Sequence, residues 1–253
     1  MHFDPELLDK LRGARHVAVF TGAGVSAESG IPTFRDAQTG LWAKFRAEDL
    51  ATPEAFRRDP ATVWQWYEWR RDLIRDAQPN PAHLAIAALE RLVPHVTVIT
   101  QNVDGLHLKA GSSDVIELHG NIWNNFCFDC KQPAPPQEGR SEAPPRCAHC
   151  NGMLRPGVVW FGEALPVQAW HRAAEISELA DVFFCIGTSS LVEPAASLPR
   201  YAQSCGRSVI QINPDATRHD GFAQYALRGK AGDILPALLH AAWPSDSGKD
   251  AER

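Results

Sequence analysis

Residues His16 to Asp36, HVAVFTGAGVSAESGIPTFRD, constrain the fold more than any other stretch of the chain. His16-Val17-Ala18-Val19-Phe20 is a short apolar run rich in β-branched and aromatic residues, bounded by Thr21-Gly22, and reads as a buried strand. Gly22, Gly24 and Ala27 then fit the pattern G-x-G-x-x-[GA]. Small residues at the first two positions permit a tight turn and close approach of the backbone to a pyrophosphate, and Ala27 lets the next helix pack near the strand. Backbone N–H groups at that helix start would hold the phosphates. Such turns also occur as plain structural turns, so the triplet alone leaves both readings open. A dehydrogenase would continue with a helix, a second strand and an acidic residue about 20 positions on for the ribose. Here Gly30-Ile31-Pro32 ends the helix early, and Thr33-Phe34-Arg35-Asp36 falls in a loop. The pattern predicts a dinucleotide whose nicotinamide end is handled differently.

Further short apolar runs follow: His95–Thr100, Val115–Leu118, Arg155–Phe161, Val182–Ile186 and Ser208–Ile212. Helical patterns separate them, near Pro5–Gly13 (with Asp4 as the start signal), from Gly40 to Leu92, at Pro166–Ala180 and at Asp233–Ala242. Strands alternating with helices predict an α/β fold, a Rossmann-like doubly wound parallel sheet. Its discontinuous domain is expected from 1–39, 93–122 and 155–253, with 40–92 and 123–154 forming a smaller helical and zinc-ribbon domain. A chain of 253 residues has room for both. A net charge of −5 gives no sequence-wide basic field for nucleic acid or an anionic membrane. The apolar run Val182–Ile186 is strand-sized, and MHFDPELLDK lacks the pattern of a signal peptide, so cytoplasm is the expected location.

Four of the six cysteines form two C-x-x-C pairs, Cys127/Cys130 and Cys147/Cys150, separated by 16 residues. Two thiolate pairs on tight turns complete a closed tetrahedral site, which predicts one structural zinc without catalysis. A redox pair would need only one C-x-x-C, and a nucleic-acid ribbon should be basic, whereas Asp129, Glu138 and Glu142 here sit beside Lys131, Arg140 and Arg146. Cys185 and Cys205 lie in or beside apolar runs and read as small buried hydrophobes.

Several polar residues follow predicted strands, at the sheet edge where open α/β folds bind ligands. His119 closes one strand. Asn102 and Asp104 follow another, where they could hold ribose hydroxyls or form a simple Asx turn. Thr188, Ser189 and Ser190 suit phosphate or ribose, and Asn213 and Asp215 follow the next strand. In Trp64-Gln65-Trp66-Tyr67-Glu68-Trp69-Arg70-Arg71, helical spacing puts Tyr67 and Arg70 on one face with Val63 and Ile74. A phenol and a guanidinium there would suit a carboxylate, and an aromatic-rich core helix with an edge arginine gives the same pattern.

GAGVSAESGIPTFRD resembles the signature of the sirtuins, NAD-dependent protein deacylases. Thr100-Gln101-Asn102-Val103-Asp104-Gly105-Leu106-His107, Glu117-Leu118-His119-Gly120, Gly187-Thr188-Ser189-Ser190 and Ile212-Asn213 resemble further family blocks in the right order. The resemblance implies His119 as general base and Gln101, Asn102 and Asp104 around the nicotinamide ribose, with Asn102, Asp104 and Arg35 assisting catalysis. It also implies NAD contacts from Gly22, Ala23, Gly24, Glu28, Thr33, Phe34, Arg35, Gly187, Thr188, Ser189, Asn213, Asp215 and Ala231. His107 is expected not to be the base but to support the site residues from behind or to be structural. Tyr67-x-x-Arg70 with Ala51 resembles the class III members, which remove succinyl and malonyl groups, and acetyl is expected as an additional substrate. Val158, Trp160, Phe161 and Gly162 fall in the segment that pairs with the backbone of acylated-lysine protein substrates. The implied reaction consumes NAD and yields nicotinamide, free lysine and O-acyl-ADP-ribose. Mainly acetyl removal, or mono-ADP-ribosyl transfer, is the neighbouring alternative. A monomer is expected, with no nucleic-acid or membrane partner.

Overall fold

A computed structural model describes residues 1–33, 46–135 and 139–244, without the side chains of 47 and 48. Six strands, β1 (His16–Thr21), β2 (His95–Thr100), β3 (Val115–Glu117), β7 (Val182–Ile186), β8 (Ser208–Asn213) and β9 (Tyr225–Arg228), form one parallel sheet in the order β3-β2-β1-β7-β8-β9. The winding reverses between β1 and β7, so their carboxyl ends frame a crevice at the switch point of a doubly wound sheet. This is the expected fold class.

Alternating residues feed two cores, as a parallel sheet covered on both faces requires. Val17, Val19, Val98, Phe184, Ile186 and Ile210 pack with the helices Pro5–Gly13, Pro81–Leu89 and Ala231–Ala242. Ala18, Phe20, Ile99, Phe183, Cys185 and Val209 face the helices Val167–Leu179 and Leu198–Ser204. The first helix starts as its sequence predicts, with the Asp4 carboxylate accepting from the Glu6 N–H at 2.8 Å.

A second, antiparallel sheet of β4 (Gly120–Cys127), β5 (Pro133–Ala134) and β6 (Leu154–Val158) carries the cysteine knuckles. The strand β4 escaped the sequence reading because Asn121, Asn124 and Asn125 break its apolar pattern. It starts immediately after His119, whose carbonyl accepts from the Val159 N–H at 2.8 Å. A third core joins this sheet to the helices Pro53–Arg58 and Pro60–Arg75 through Ala51, Phe56, Trp66, Tyr67, Ile122, Val158 and Trp160. Both helices begin with proline behind a side-chain cap, Thr52 to Ala55 N–H (3.1 Å) and Asp59 to Thr62 N–H (3.0 Å). The helix Pro81–Leu89 falls within the 40–92 segment, yet Ala82, Ile86 and Leu89 bury themselves in the core of the parallel sheet.

Candidate active site and metal centre

Every strand-end residue singled out from the sequence, in so far as it is described, lies at the carboxyl edge of the parallel sheet. At the switch point the β1 and β7 loops pack so closely that Gly22, Gly24 and Gly187 leave no room for a Cβ. A Cβ on Gly24 would sit 2.7 Å from the Gly187 carbonyl oxygen, and one on Gly187, whose φ is +59°, would sit 2.4 Å from the Val25 nitrogen. The Gly22 N–H donates to the Ile186 carbonyl (3.1 Å) and the Gly24 N–H to the Gly187 carbonyl (2.8 Å). Val25 and Ser26 bond back to Gly22 and Ala23. Of the N–H groups expected at this helix start to hold phosphates, those of Gly22, Gly24, Val25 and Ser26 are bonded within the protein. Of the turn's amides from Gly22 to Ser26, Ala23 alone lacks a protein partner among the described residues. The glycines are needed first for the contact between loops.

His119 is partly buried, and its Nδ1 donates to the Gln101 carbonyl at 3.0 Å. That bond places the proton on Nδ1 and leaves Nε2 with a free lone pair. Burial lowers the His119 pKa below the usual histidine value, partly opposed by the Gln101 carbonyl, so the ring is neutral near pH 7. Gly120 behind it is obligatory: at φ +76°, a Cβ would lie 2.1 Å from the Gly157 carbonyl oxygen.

Asn102 and Asp104 are buried and share one partner. The Ser26 hydroxyl donates to Asp104 Oδ2 (2.8 Å) and accepts from Asn102 Nδ2 (3.0 Å), while Asp104 Oδ1 accepts from the Leu106 N–H (2.9 Å). Burial raises the Asp104 pKa, opposed by these bonds and by the Arg70 charge. Ser26 lies inside the glycine-rich motif but was not singled out, because nothing in its local pattern shows where a hydroxyl points. Gln101 Nε2 donates to Thr188 Oγ1 (3.1 Å), and Asn213 Nδ2 to the Thr188 carbonyl (2.9 Å). The buried Ser190 hydroxyl, in the same β7 loop at φ +62°, has no partner among the described residues. Asp215 donates its N–H to its neighbour Asn213 at 3.4 Å. Glu28 accepts from the Gly232 N–H (3.0 Å), next to Ala231 at the start of the last helix. Thr33 is the last residue described before position 46, and Phe34 and Arg35 lie outside the described residues.

On the helix Pro60–Arg75, Tyr67 is 2% exposed and accepts from the Trp160 indole N–H at 2.9 Å. Burial pushes its pKa up to about 12. Arg70 lies over the Trp66 ring (5.1 Å), and burial lowers its pKa against the opposing effects of Tyr67 and Asp104. Ala51 is buried in the same core as Tyr67, its carbonyl accepting from the Phe161 N–H at 2.9 Å, and Gly162 takes φ +84°. The neighbouring Arg71 is different. It is 5% exposed and bonded to Glu68 (2.6 Å), the Ile122 carbonyl (2.8 Å) and Asn125 (2.7 Å), which ties the helix to β4.

His107 is buried, with Nε2 3.0 Å from Thr21 Oγ1 and its ring 4.9 Å from that of His83. Burial pushes the two pKa values down to about 3 for His107 and about 4 for His83. Unfolding lets each ring take up a proton once the pH drops below the ordinary 6.5, so the unfolded state binds more protons and stability falls from pH 6.5 toward 4. The denaturant midpoint is expected to drop over that window and His107→Gln to flatten the slope; equal slopes in both proteins would remove these rings as the cause.

The four cysteine sulfurs lie within 4.8 Å of one another, with Cys127–Cys150 at 3.4 Å and Cys130–Cys147 at 3.8 Å. Tetrahedral zinc with bonds of about 2.3 Å needs sulfur separations of about 3.8 Å, so the set fits. The two knuckles are built alike. Lys131 (φ +62°) and Asn151 (φ +61°) each follow the second cysteine in left-handed conformation, and each donates back to the carbonyl of the first cysteine. His149 is outside the group. Among the described residues the local core is Cys127, Cys147 and Leu154 with Cys130 and Ala134, so little but the metal can hold this end together.

Comparison with known proteins gives a consistent result. The model described as Sir2 family matches residues 22–194. An NAD-dependent protein deacylase of Methylococcus capsulatus is 55% identical over 249 residues, covering 95% of this chain and 98% of the relative. A solved Sir2 homolog–NAD complex superposes with a TM-score of 0.89 at 46% identity, covering 95% and 94% of the two chains. A Sir2–p53 peptide–NAD structure gives 0.85 at 31% identity, covering 96% and 100%. Among the described residues no helix is long and apolar enough to cross a membrane.

Proposed function

The chain belongs to the Sir2 family and is an NAD-dependent protein deacylase; from that premise we propose that it removes succinyl and malonyl groups, and acetyl groups as well, from lysine side chains. The observation that carries the proposal is the pairing of a buried phenol, Tyr67, with the guanidinium of Arg70 one turn on, beside the small Ala51. A guanidinium and a hydroxyl can hold a terminal carboxylate, and Ala51 leaves room for the longer chain.

Bound NAD supplies an electrophilic glycosidic carbon and nicotinamide as leaving group. The residues of the switch point suit it: small residues at Gly22, Ala23, Gly24 and Gly187, hydroxyls at Thr188, Ser189 and the orphaned Ser190, and amides at Gln101, Asn102 and Asn213. We place the adenosine half near Asn213, Asp215 and Ala231. Glu28 supports it by holding the Gly232 amide, and the family resemblance gives Thr33, with Phe34 and Arg35 outside the described residues, the role of covering the reacting end. His119, neutral and with Nε2 free, removes the proton from a ribose hydroxyl. Asn102 and Asp104, both fixed by Ser26, orient the nicotinamide ribose. Val158, Trp160, Phe161 and Gly162 offer backbone to an acylated segment of the protein substrate as an added strand. In this reading the four-cysteine zinc is structural. The enzyme is taken as a cytoplasmic monomer, with the parallel-sheet unit (1–39, 93–122, 155–253) holding NAD and the smaller unit (40–92, 123–154) holding the acyl chain, save that the helix Pro81–Leu89 packs with the sheet.

The test compares kcat/KM on acetyl-, malonyl- and succinyl-lysine peptides, following nicotinamide release. Hydrogen bonds to a charged group contribute roughly 1.5–3 kcal/mol each, so Tyr67→Phe with Arg70→Met is expected to lower the succinyl-to-acetyl ratio by about a hundredfold. An unchanged ratio would leave a plain deacetylase. Transfer of radiolabelled ADP-ribose to protein would instead favour mono-ADP-ribosyl transfer.

A further inference from the structure

We propose that Trp160 is a positioning residue for acyl selection: its indole N–H occupies a lone pair of the Tyr67 hydroxyl and so aims the phenol proton at the carboxylate of the acyl chain. The inference rests on the role given to Tyr67 above. An indole N–H can only donate, so in the 2.9 Å contact between Trp160 Nε1 and Tyr67 Oη the phenol oxygen is the acceptor. The phenol proton must then point away from the indole. Among the described residues no other group bonds this hydroxyl, and at 2% exposure bulk water does not reach it. A carboxylate entering the pocket meets a donor already turned toward it. With the indole gone, the hydroxyl is free to rotate and to present a lone pair to the same anion, which repels it. A methyl-terminated acetyl group makes no use of this proton.

The indole is itself held fast. The Arg155 guanidinium lies 3.3 Å from its ring centroid, and Phe56 packs 5.3 Å away. Glu163 accepts two bonds from Arg155, at 2.5 and 2.9 Å, and a third from the Trp160 backbone N–H at 2.8 Å. Arg155 and Trp160 are each 1% exposed. The indole therefore has one orientation, and through it so does the Tyr67 proton. With its pKa near 12, that proton stays in place throughout the neutral range.

A double-mutant cycle tests this, with kcat and KM measured on succinyl- and acetyl-lysine peptides for wild type, Tyr67→Phe, Trp160→Phe and the double variant. Trp160→Phe is expected to lower the succinyl-to-acetyl ratio of kcat/KM by about tenfold, mainly through the succinyl KM, as one neutral hydrogen bond allows. In the Tyr67→Phe background there is no hydroxyl to aim, and the same change should move the ratio by less than about twofold. An equal loss in both backgrounds would mean that Trp160 acts by packing, and the inference is overturned. If Tyr67→Phe alone leaves the ratio unchanged, the dicarboxyl-acyl reading fails and takes this one with it.

A measurement on the wild-type protein covers the case in which Trp160→Phe does not fold. With 15N-labelled tryptophan, the Trp160 indole resonance is assigned through its contact with the Tyr67 ring. It should shift on adding succinyl-lysine peptide, because a carboxylate bonded to the phenol polarises the oxygen that the indole bonds. Acetyl-lysine peptide, which pairs with the same segment, should shift it much less; equal shifts with both peptides overturn the proposal.

Discussion

Replacing His119 with Ala should reduce deacylation by roughly a hundred- to ten-thousand-fold, the range a positioned general base contributes, with little change in thermal stability. The ring is partly exposed, and Nε2 bonds to no described residue, so its loss opens neither a large cavity nor an orphaned partner other than the Gln101 carbonyl. Burial lowers the folded-state pKa below 6.5, so the basic form persists to lower pH than it would in water. The acid limb of kcat/KM should accordingly lie below pH 6.5. Wild-type turnover in His119→Ala, or an acid limb above 7, would remove His119 from the mechanism.

Stripping the metal should be as damaging by a different route. Zinc binding in small cysteine sites is worth roughly 10–16 kcal/mol, as large as the stability of a whole domain. Here the knuckle end has almost no other core. Prolonged exposure to a strong chelator, or Cys147→Ser, should therefore unfold the β4-β5-β6 sheet. Because β4 begins at Gly120 and the β6 segment bonds the His119 carbonyl, that loss reaches the base directly. The expected readings are about one zinc per chain in the native protein, together with loss of both activity and the cooperative thermal transition after chelation. Full activity in zinc-free protein would refute the structural role.

Much of this was visible before any coordinates. Short apolar runs and punctuating glycines are local signals, and they located β1, β2, β7 and β8 with their carboxyl-edge loops. The paired C-x-x-C spacing carries the metal geometry in a few residues. Strand β9 was harder to see, since its four edge residues, Tyr225–Arg228, offer only a short and half-buried pattern. Strand β4 was hidden by its asparagines, one of which, Asn125, turns out to bind Arg71.

The sequence by itself determined the doubly wound sheet, the polar residues along its edge and the four sulfur ligands, because periodicity, backbone permissiveness and ligand spacing are written in neighbouring positions. Only the tertiary structure decided which of two adjacent arginines lies over the Trp66 ring beside Tyr67 and which ties the helix to β4. It also showed that Gly22 and Gly24 spend their amides on the β7 loop, that Glu28 holds the last helix, and that the Tyr67 oxygen accepts from an indole 93 residues away. Those are questions of partner. A side chain's partner comes from whichever element the fold brings beside it, and no local pattern encodes that meeting.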